Sequence, residues 1–328
     1  MKVAISAAGL LLATTSVSGY LWPIPREHSL GSKVALVSSN LTIAFSCESD
    51  ILSAASQRYQ DTILKRTFKP PTQYNSTASG TEDQFSKLLV KVHNCQATYP
   101  TLEDDESYNL TIPDPVPATE GLLEANTVWG ALRGLETFSQ LTYTLSNKQL
   151  VIGDLPVAIT DSPAYPHRGL MLDTARNYFP VDDIKRTLDA MSYNKFNVFH
   201  WHIIDAQSWP VESKFLPDLY LKGAYDSDMT YSHRDVQDII DYARDRGIRV
   251  VPEFEMPGHL SVVHHAKPEI MTCVNSQPHW DLDSAEPPSG QLNPLLPETY
   301  TFTQDLVNEY SGLFKDQFFH TGNDEVNT

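Results

Sequence analysis

Near its end the chain reads Phe318-Phe-His-Thr-Gly-Asn-Asp-Glu325, a pattern that predicts a buried strand, a turn and two adjacent carboxylates. Consecutive residues of a regular strand point to opposite faces of the sheet. Asp324 and Glu325 can therefore serve one site only if the strand breaks into a loop before them. A solvated Asp–Glu pair is the commoner use of such a dipeptide, because acidic side chains are mostly exposed. The residues upstream decide between these two interpretations.

Strands and helices alternate in the half of the chain that leads to this stretch. We predict a buried strand at Gly169–Asp173 and further strands at 196–202, 248–254 and 317–320, with helices at 181–193, 232–246 and 299–315. Such alternation favours a parallel sheet, whose strands all end at the same edge.

The predicted strand ends carry polar side chains that are suited to chemistry: Asp173, His200, His202, Asp205, Glu253, Glu255, Asp324 and Glu325. Polar residues gathered at the carboxyl ends of parallel strands are typical of a (β/α)8 barrel. A doubly wound sheet collects ligands at the same ends, but no glycine-rich phosphate loop is present. Residues 163–328 are too few for a whole barrel, which needs about 250 residues. We therefore expect an α/β fold whose second domain is the first half of a TIM barrel.

The preceding half of the chain has a different order of predicted strands and helices. Strands at 34–37, 41–45, 88–92, 108–112 and 150–152 and helices at 51–68 and 120–141 follow no regular alternation, which indicates an α+β layer domain. Pro156 and the proline-rich residues 162–166 are interpreted as a linker. The predicted domains are thus residues 20–162 and residues 163–328.

The first 19 residues have the pattern of a signal peptide: one lysine, a short apolar run, and small residues that end at Gly19. The sequons at Asn40, Asn75 and Asn109 agree with passage through the secretory pathway. No later stretch reaches transmembrane length. We expect a secreted protein, with a lysosome or vacuole as the alternative.

Three cysteines fit an oxidising compartment. Cys47 and Cys95, both in the first half, are the candidate disulfide, and Cys273 is left without a partner. The net charge of −17, from 41 acidic and 24 basic residues, argues against nucleic acid and anionic membranes as partners, since both require basic patches.

The sequence offers few catalytic groups other than carboxylates. His200 and His202 share a strand face, but neither an HExxH motif nor a cysteine cluster accompanies them, so no metal and no cofactor is predicted. A GxSxG serine motif is missing, and Cys273 has no adjoining base. Carboxylates and aromatic residues at strand ends suit glycoside cleavage or simple carbohydrate binding.

Four ordered motifs occupy residues 167–179, 197–210 and 252–259, which read HRGLMLDTARNYF, NVFHWHIIDAQSWP and PEFEMPGH, and residues 320–325, which read HTGNDE. Together they closely resemble one family, the family 20 glycoside hydrolases or β-N-acetylhexosaminidases, of the secreted, fungal-like kind. A helix at 126–140 is similar to the one that closes the family's N-terminal domain.

The resemblance implies a substrate-assisted retaining mechanism, in which the 2-acetamido group of the substrate attacks the anomeric carbon. Glu325 would be the general acid/base, and Asp324 would orient the acetamide. His259 would link Asp205 to Glu325, and Arg168 would bind hydroxyls of the terminal sugar. The implied substrates are β-linked N-acetylglucosaminides and N-acetylgalactosaminides, including chitin oligomers and glycoconjugates, and the full-length protein could be a homodimer.

Two departures from the family pattern keep alternatives open. Asn323 stands where the family usually has a second glycine, although asparagine tolerates the left-handed backbone region. The sequence also stops three residues after Glu325, so we expect residues 1–328 alone to have little activity. A degenerate, non-catalytic relative that only binds glycans is the alternative from another class. A retaining glycosidase with two catalytic carboxylates is a third, weaker option.

Overall fold

A computed structural model describes residues 21–67, 84–114 and 120–326 of the chain. The predicted signal peptide and the sequon at Asn75 lie outside these residues. Two sheets organise the described part: a six-stranded sheet formed before residue 162 and a three-stranded parallel sheet formed after residue 168. The predicted division between residues 162 and 163 falls between these sheets and stays a prediction.

The first sheet consists of β1 (Glu27–Phe45), β2 (Gln84–Asn94), β3 (Tyr108–Ile112), β4 (Glu120–Thr127), β5 (Thr142–Thr144) and β6 (Leu150–Asp161). Their spatial order is β1-β2-β4-β3-β6-β5. Strand β1 is long enough to have two partners: its first part pairs antiparallel with β6, and its second part pairs parallel with β2.

Two helices, α1 (Asp50–Leu64) and α2 (Val128–Gln140), pack on this sheet. Each begins at a hydroxyl cap, because Ser49 accepts a hydrogen bond from the backbone of Leu52 and Thr127 accepts one from Gly130. Helix α2 is buried along its whole length and forms the centre of the first hydrophobic core.

Three sequence predictions in this half are wrong in detail. The predicted helix at 120–141 is strand β4 followed by α2, because the residues of β4 pair with both β2 and β3. The two predicted strands at 34–37 and 41–45 are parts of the single strand β1. Pro156, interpreted as linker, lies inside β6.

The second half contains the strands β7 (Gly169–Asp173), β8 (Val198–Ile204), β9 (Arg249–Phe254), β10 (Met271–Thr272) and β11 (Gln291–Leu292). Its helices are α3 (Val181–Tyr193), α4 (Asp218–Gly223), α5 (His233–Arg244) and α6 (Pro297–Leu313). Ser232 and Asp235 form a reciprocal capping box at the start of α5.

Strands β7, β8 and β9 form a parallel sheet in chain order. Instead of the predicted fourth strand, the structure has one parallel bridge between Glu253 and His320. Backbone hydrogen bonds from Phe254 to His320 and from Met256 to Thr321 continue this pairing. Strand β7 is not the buried strand that its sequence predicts. Leu170 is 42% exposed and Met171 is 53% exposed, because β7 pairs on only one side among the described residues.

The predicted disulfide is confirmed: Cys47 and Cys95 are bonded, with their Cα atoms 6.5 Å apart. Cys273 has no disulfide partner among the described residues. Asn40 and Asn109 are exposed, as glycosylation sites must be. Within the described residues, none of the helices combines the length and apolar content that crossing a bilayer requires.

A buried polar joint connects the two halves. Glu106 accepts a 2.8 Å hydrogen bond from Arg133, which lies in the same half, and forms a second ion pair with Arg168 from the other half. Although burial opposes ionisation of Glu106, the two guanidinium groups hold its pKa below its usual value. Nearby, the Lys195 ammonium donates to Tyr108 and Asp161 across the same joint.

Candidate active site

The carboxyl ends of the parallel strands bring together the polar side chains that the sequence predicts there. The group contains Asp173, Arg176, His200, His202, Asp205, Glu253, Glu255, His259, Glu286, His320, Asp324 and Glu325. These residues come from the ends of β7, β8 and β9, from the loops that follow them, and from the segment after α6 that is bridged to β9 at His320. This convergence is expected where parallel strands share one edge.

His259 connects a buried acid to an exposed one. Its Nε2 atom lies 3.1 Å from Oε2 of Glu325, and its Nδ1 atom lies 3.6 Å from Oδ1 of Asp205. Asp205 is fully buried, whereas the Glu325 side chain is 47% exposed. An acid that must reach a substrate is thus held from behind by an imidazole, whose other nitrogen faces a buried carboxylate.

The turn before Glu325 is the loop break that two adjacent carboxylates require. Gly322, Asn323 and Glu325 all have left-handed backbones, with φ values of 63°, 70° and 53°. Asparagine therefore adopts at position 323 the conformation that the sequence analysis expects it to tolerate. Because the chain leaves the strand here, Asp324 and Glu325 both place a carboxylate oxygen near His259, with the three ligand-type atoms within 4.8 Å of one another.

His202 lies at the centre of a second, buried set of contacts. Its Nε2 atom is 2.9 Å from Asp205, and its Nδ1 atom is 3.0 Å from Glu253. Burial disfavours the imidazolium, but the hydrogen bonds with Asp205 and Glu253 outweigh that effect and raise the pKa of His202 to about 10. His202 is therefore a fixed positive charge that anchors Asp205.

Glu253 collects three imidazoles. His200 lies 2.5 Å from its Oε2 atom and His320 lies 2.9 Å from its Oε1 atom, in addition to the contact with His202. Burial opposes ionisation, but the hydrogen bonds with His200 and His202 lower the pKa of Glu253 below its usual range. Glu255, two residues later, has the opposite behaviour: burial, Glu253 and Asp324 raise its pKa to about 8.

A cation could be accommodated sterically by the ligand-type atoms of His200, Glu253 and His320, which lie within 4.8 Å of one another. Contacts with Glu253 already account for this spacing, because His200 is hydrogen-bonded to its carboxylate and His320 lies 2.9 Å from it. We assign these residues no metal-binding role.

Arg168 is the one predicted site residue that the structure does not bring to this cluster. It precedes β7, whereas Asp173 ends that strand, so five residues of strand, about 16 Å, separate them. Its guanidinium is committed to Glu106 and to the backbone carbonyls of Tyr165 and Lys195.

Arg176 is the cationic residue that the sequence analysis missed. Its guanidinium lies 3.0 Å from Asp173, 3.0 Å from Asp205 and 2.5 Å from Glu286. Burial lowers its pKa, but the hydrogen bond with Glu286 and the charge of Asp205 raise it above its usual value overall. The signal was available in the sequence, because Arg176 follows Asp173 by three residues at the end of a predicted strand.

Two family models match the chain. Residues 165–328 match the model of "Glycosyl hydrolase family 20, catalytic domain", and residues 21–141 match that of "beta-acetyl hexosaminidase like" proteins. The chain belongs to glycosyl hydrolase family 20.

Relatives in this family include the beta-hexosaminidase beta subunits of Mus musculus and Homo sapiens. The chain is 38% identical to the mouse protein, with 96% of the chain and 58% of that protein covered. It is 40% identical to the human protein, with 93% and 54% covered. The chain thus spans little more than half the length of these relatives.

The crystal structure of the Flavobacterium johnsoniae chitobiase, also a family 20 protein, superimposes with a TM-score of 0.77 at 31% identity. The match covers 93% of the present chain and 45% of the chitobiase chain. The α/β fold, with its sheets and helices, is therefore that of the family.

Proposed function

We propose that this family 20 chain carries the acid/base residues of a β-N-acetylhexosaminidase, which removes terminal N-acetylglucosamine or N-acetylgalactosamine from β-linked glycans. The observation that carries the proposal is the contact chain from buried Asp205 through His259 to exposed Glu325, with Asp324 beside it. Buried acid, imidazole and solvent-facing acid in this order suit a proton donor that a substrate can reach.

We also propose that the parallel strands are the first half of a (β/α)8 barrel. Strands β7, β8 and β9 and the bridge at His320 run in chain order with helices between them. The exposed apolar residues Leu170 and Met171 on β7 support a further strand or helix at that edge.

In the proposed reaction, Glu325 donates its proton to the glycosidic oxygen while the substrate's acetamide carbonyl oxygen attacks the anomeric carbon. The aglycone leaves as an alcohol, and the sugar becomes an oxazolinium ion. Glu325 then removes a proton from a water molecule, and the water oxygen adds to the anomeric carbon. This addition opens the oxazolinium ring and leaves the sugar with retained anomeric configuration. Asp324 orients the acetamide and offsets its developing positive charge.

Arg176 is our proposed sugar-binding cation, in the place that the sequence analysis gives to Arg168. Its side chain is 33% exposed and lies among the site carboxylates, whereas Arg168 is engaged in the joint between the two halves. A guanidinium presents several donors in a fixed plane, which suits pairs of neighbouring sugar hydroxyls.

The compartment and the substrates remain part of the proposal. The signal-like residues 1–19 and the exposed sequons at Asn40 and Asn109 support a secreted protein or one of a lysosome or vacuole. Chitin oligomers and glycoconjugates are the expected substrates, and a homodimer is the expected assembly of the full-length protein.

The test is hydrolysis of a chromogenic β-N-acetylglucosaminide by a longer protein that contains all eight proposed barrel strands, here called the complete-barrel protein. Residues 1–328 alone are assayed in parallel. Glu325→Gln should lower kcat by about 10³-fold, since a general acid contributes about 10²–10⁴-fold. Glu298→Gln, an exposed acid on α6, is the matched control and should leave kcat unchanged. Parental turnover by Glu325→Gln would overturn the assignment, and robust turnover by residues 1–328 would overturn the half-barrel proposal.

Two further outcomes separate the competing functions. Binding of N-acetylglucosamine without any turnover by the complete-barrel protein would identify a non-catalytic glycan-binding relative. A thiazoline analogue of the oxazolinium ion should inhibit strongly, whereas a glycosidase with two catalytic carboxylates should be insensitive to it.

A further inference from the structure

Glu255, which the proposed reaction does not use, is an unusual residue for its location. It directly follows β9, is only 2% exposed, and its Oε2 atom has no hydrogen-bond partner among the described residues. A buried carboxyl oxygen without a partner is costly, so its retention requires an explanation.

The explanation lies in the turn that faces it. A Cβ atom on Gly322 would lie 1.7 Å from Oε2, 2.2 Å from Cδ and 2.5 Å from Oε1 of Glu255. The carboxyl group therefore touches the turn backbone, and only glycine fits opposite it. The backbone N–H of Phe254 donates to the His320 carbonyl and that of Met256 donates to the Thr321 carbonyl, so the residues on both sides of Glu255 are fixed to this segment.

The charged groups around Glu255 come from three elements. His202 on β8 lies 3.9 Å from its Oε1 atom, and Asp205, just beyond β8, has an oxygen within 4.8 Å. Glu253 on β9 and Asp324 on the turn also have oxygens within 4.8 Å of it. One imidazolium faces three other carboxylates, so a further negative charge is unfavourable here, in agreement with the raised pKa of about 8.

We propose that Glu255 is a positioning residue, whose neutral carboxyl group supports the Gly322 turn and thereby holds Asp324 and Glu325 against His259. This inference rests on the proposed function. Ionisation of Glu255 places a new charge beside Asp324 and Glu253, which repel it and displace the turn. The alkaline loss of activity then depends on the ionisation of Glu255 as well as on deprotonation of the general acid Glu325, although Glu255 does not touch the substrate.

The first test is the pH profile of kcat in the complete-barrel protein. Glu255→Gln keeps the shape and stays neutral, so it should retain the parental kcat near pH 6 and extend the alkaline limb by about one pH unit or more. Glu255→Ala removes the support and should lower kcat by about 10²-fold, the effect of a misplacement of about 1 Å. An unchanged alkaline limb in Glu255→Gln, or parental kcat in Glu255→Ala, would overturn the proposal.

The second test is a double-mutant cycle between the two touching residues. Gly322→Ala should lose about 10²-fold in kcat. Glu255→Ala/Gly322→Ala should be at least about tenfold better than the product of the single effects, because the three atoms nearest to the new methyl group belong to Glu255. The backbone strain of an alanine at φ 63° persists in both Gly322→Ala variants and therefore cancels in the cycle. The control is Gly258→Ala, whose Cβ would lie at an ordinary 3.4 Å from the Asp324 carbonyl oxygen and should leave kcat unchanged. Additive effects in the cycle would contradict the proposed contact.

Infrared spectroscopy tests the protonation of Glu255 independently of the proposed function. Infrared spectra should show a protonated-carboxyl band that disappears as the pH rises through about 8 and is missing in Glu255→Gln. Loss of turnover in Glu325→Gln with an unaltered band in the parent would support both proposals. A missing band in an active parent would overturn the Glu255 inference alone, and a normal band in an inactive protein would overturn only the enzyme assignment.

Discussion

His259 Nε2 lies 3.1 Å from Glu325 Oε2, so the exposed catalytic candidate is held by a residue that is itself buried. The opposite face of the imidazole looks toward Asp205, at 3.6 Å. A carboxylate on the solvent side of a turn with left-handed residues would otherwise have considerable freedom. We therefore expect the imidazole to set both the direction and the protonation of Glu325.

Replacement of His259 should lower activity without unfolding the protein. His259→Ala leaves Glu325 unoriented and removes its link to Asp205, so kcat should fall by about 10²-fold with an unchanged Tm. Steady-state kinetics and thermal denaturation measure the two quantities. His264→Ala, an exposed histidine of the same segment, is the control. Equal kinetics for the two variants would contradict the role given to His259.

Substitution of Arg176 should weaken substrate binding, whereas substitution of Arg168 should lower stability. Arg176→Lys loses the planar donor set among Asp173, Asp205 and the sugar, so KM should rise by about tenfold with little change in Tm. Arg168→Lys weakens the buried pair with Glu106, so Tm should fall while KM stays parental. Kinetics and calorimetry on the same preparations provide the comparison. The reverse pattern would restore Arg168 as the substrate-binding residue.

The disulfide should be a main source of stability for the first half. Cys47→Ala/Cys95→Ala frees a loop with a sequence separation of 48 residues. Unfolding free energy should fall by about 2–4 kcal/mol, as measured by denaturant titration. Cys273→Ser removes a free thiol instead and should match the parent. Equal losses in both variants would show that the bond contributes nothing specific.

His202 should make the fold sensitive to alkali. Its pKa is raised from 6.5 to about 10, so the folded state favours the protonated form. The stability from this shift is fully present below pH 6.5 and is lost as the pH rises through about 10. Parental Tm should therefore fall more steeply between pH 7 and pH 10 than that of His202→Gln. His264→Gln, a change at an exposed site, should follow the parental curve, and parallel curves for His202→Gln and the parent would contradict this pKa.

Local sequence patterns were sufficient to predict most of the helices and strands in the second half of the chain. The predicted strand Gly169–Asp173 and the predicted helix at 181–193 have the observed bounds, because the apolar periodicity and Pro180 at the start of the helix determine them locally. The main error in the first half arises from strand pairing. Residues 120–127 form a strand because two neighbouring strands are available, which no local pattern reveals.

The site was only partly accessible from sequence. Strand ends locate Asp205, Asp324 and Glu325, since carboxyl ends of parallel strands converge. Arg168 lies away from these residues because an arginine just before a strand lies at the opposite end of the sheet from one just after it. Its assignment to sugar binding stays a prediction. The contact of Glu255 with Gly322 joins residues 67 positions apart, and it becomes visible only when the turn is placed in space.

The Glu106 bridge has a consequence for how such chains diverge. Its carboxylate is shared between one arginine from each half, and a change at any member of the trio leaves an uncompensated charge in the interior. The three positions are therefore expected to co-vary across distant homologues. Chimeras that exchange the first half between such homologues should assemble only when both parents have matching residues at this joint.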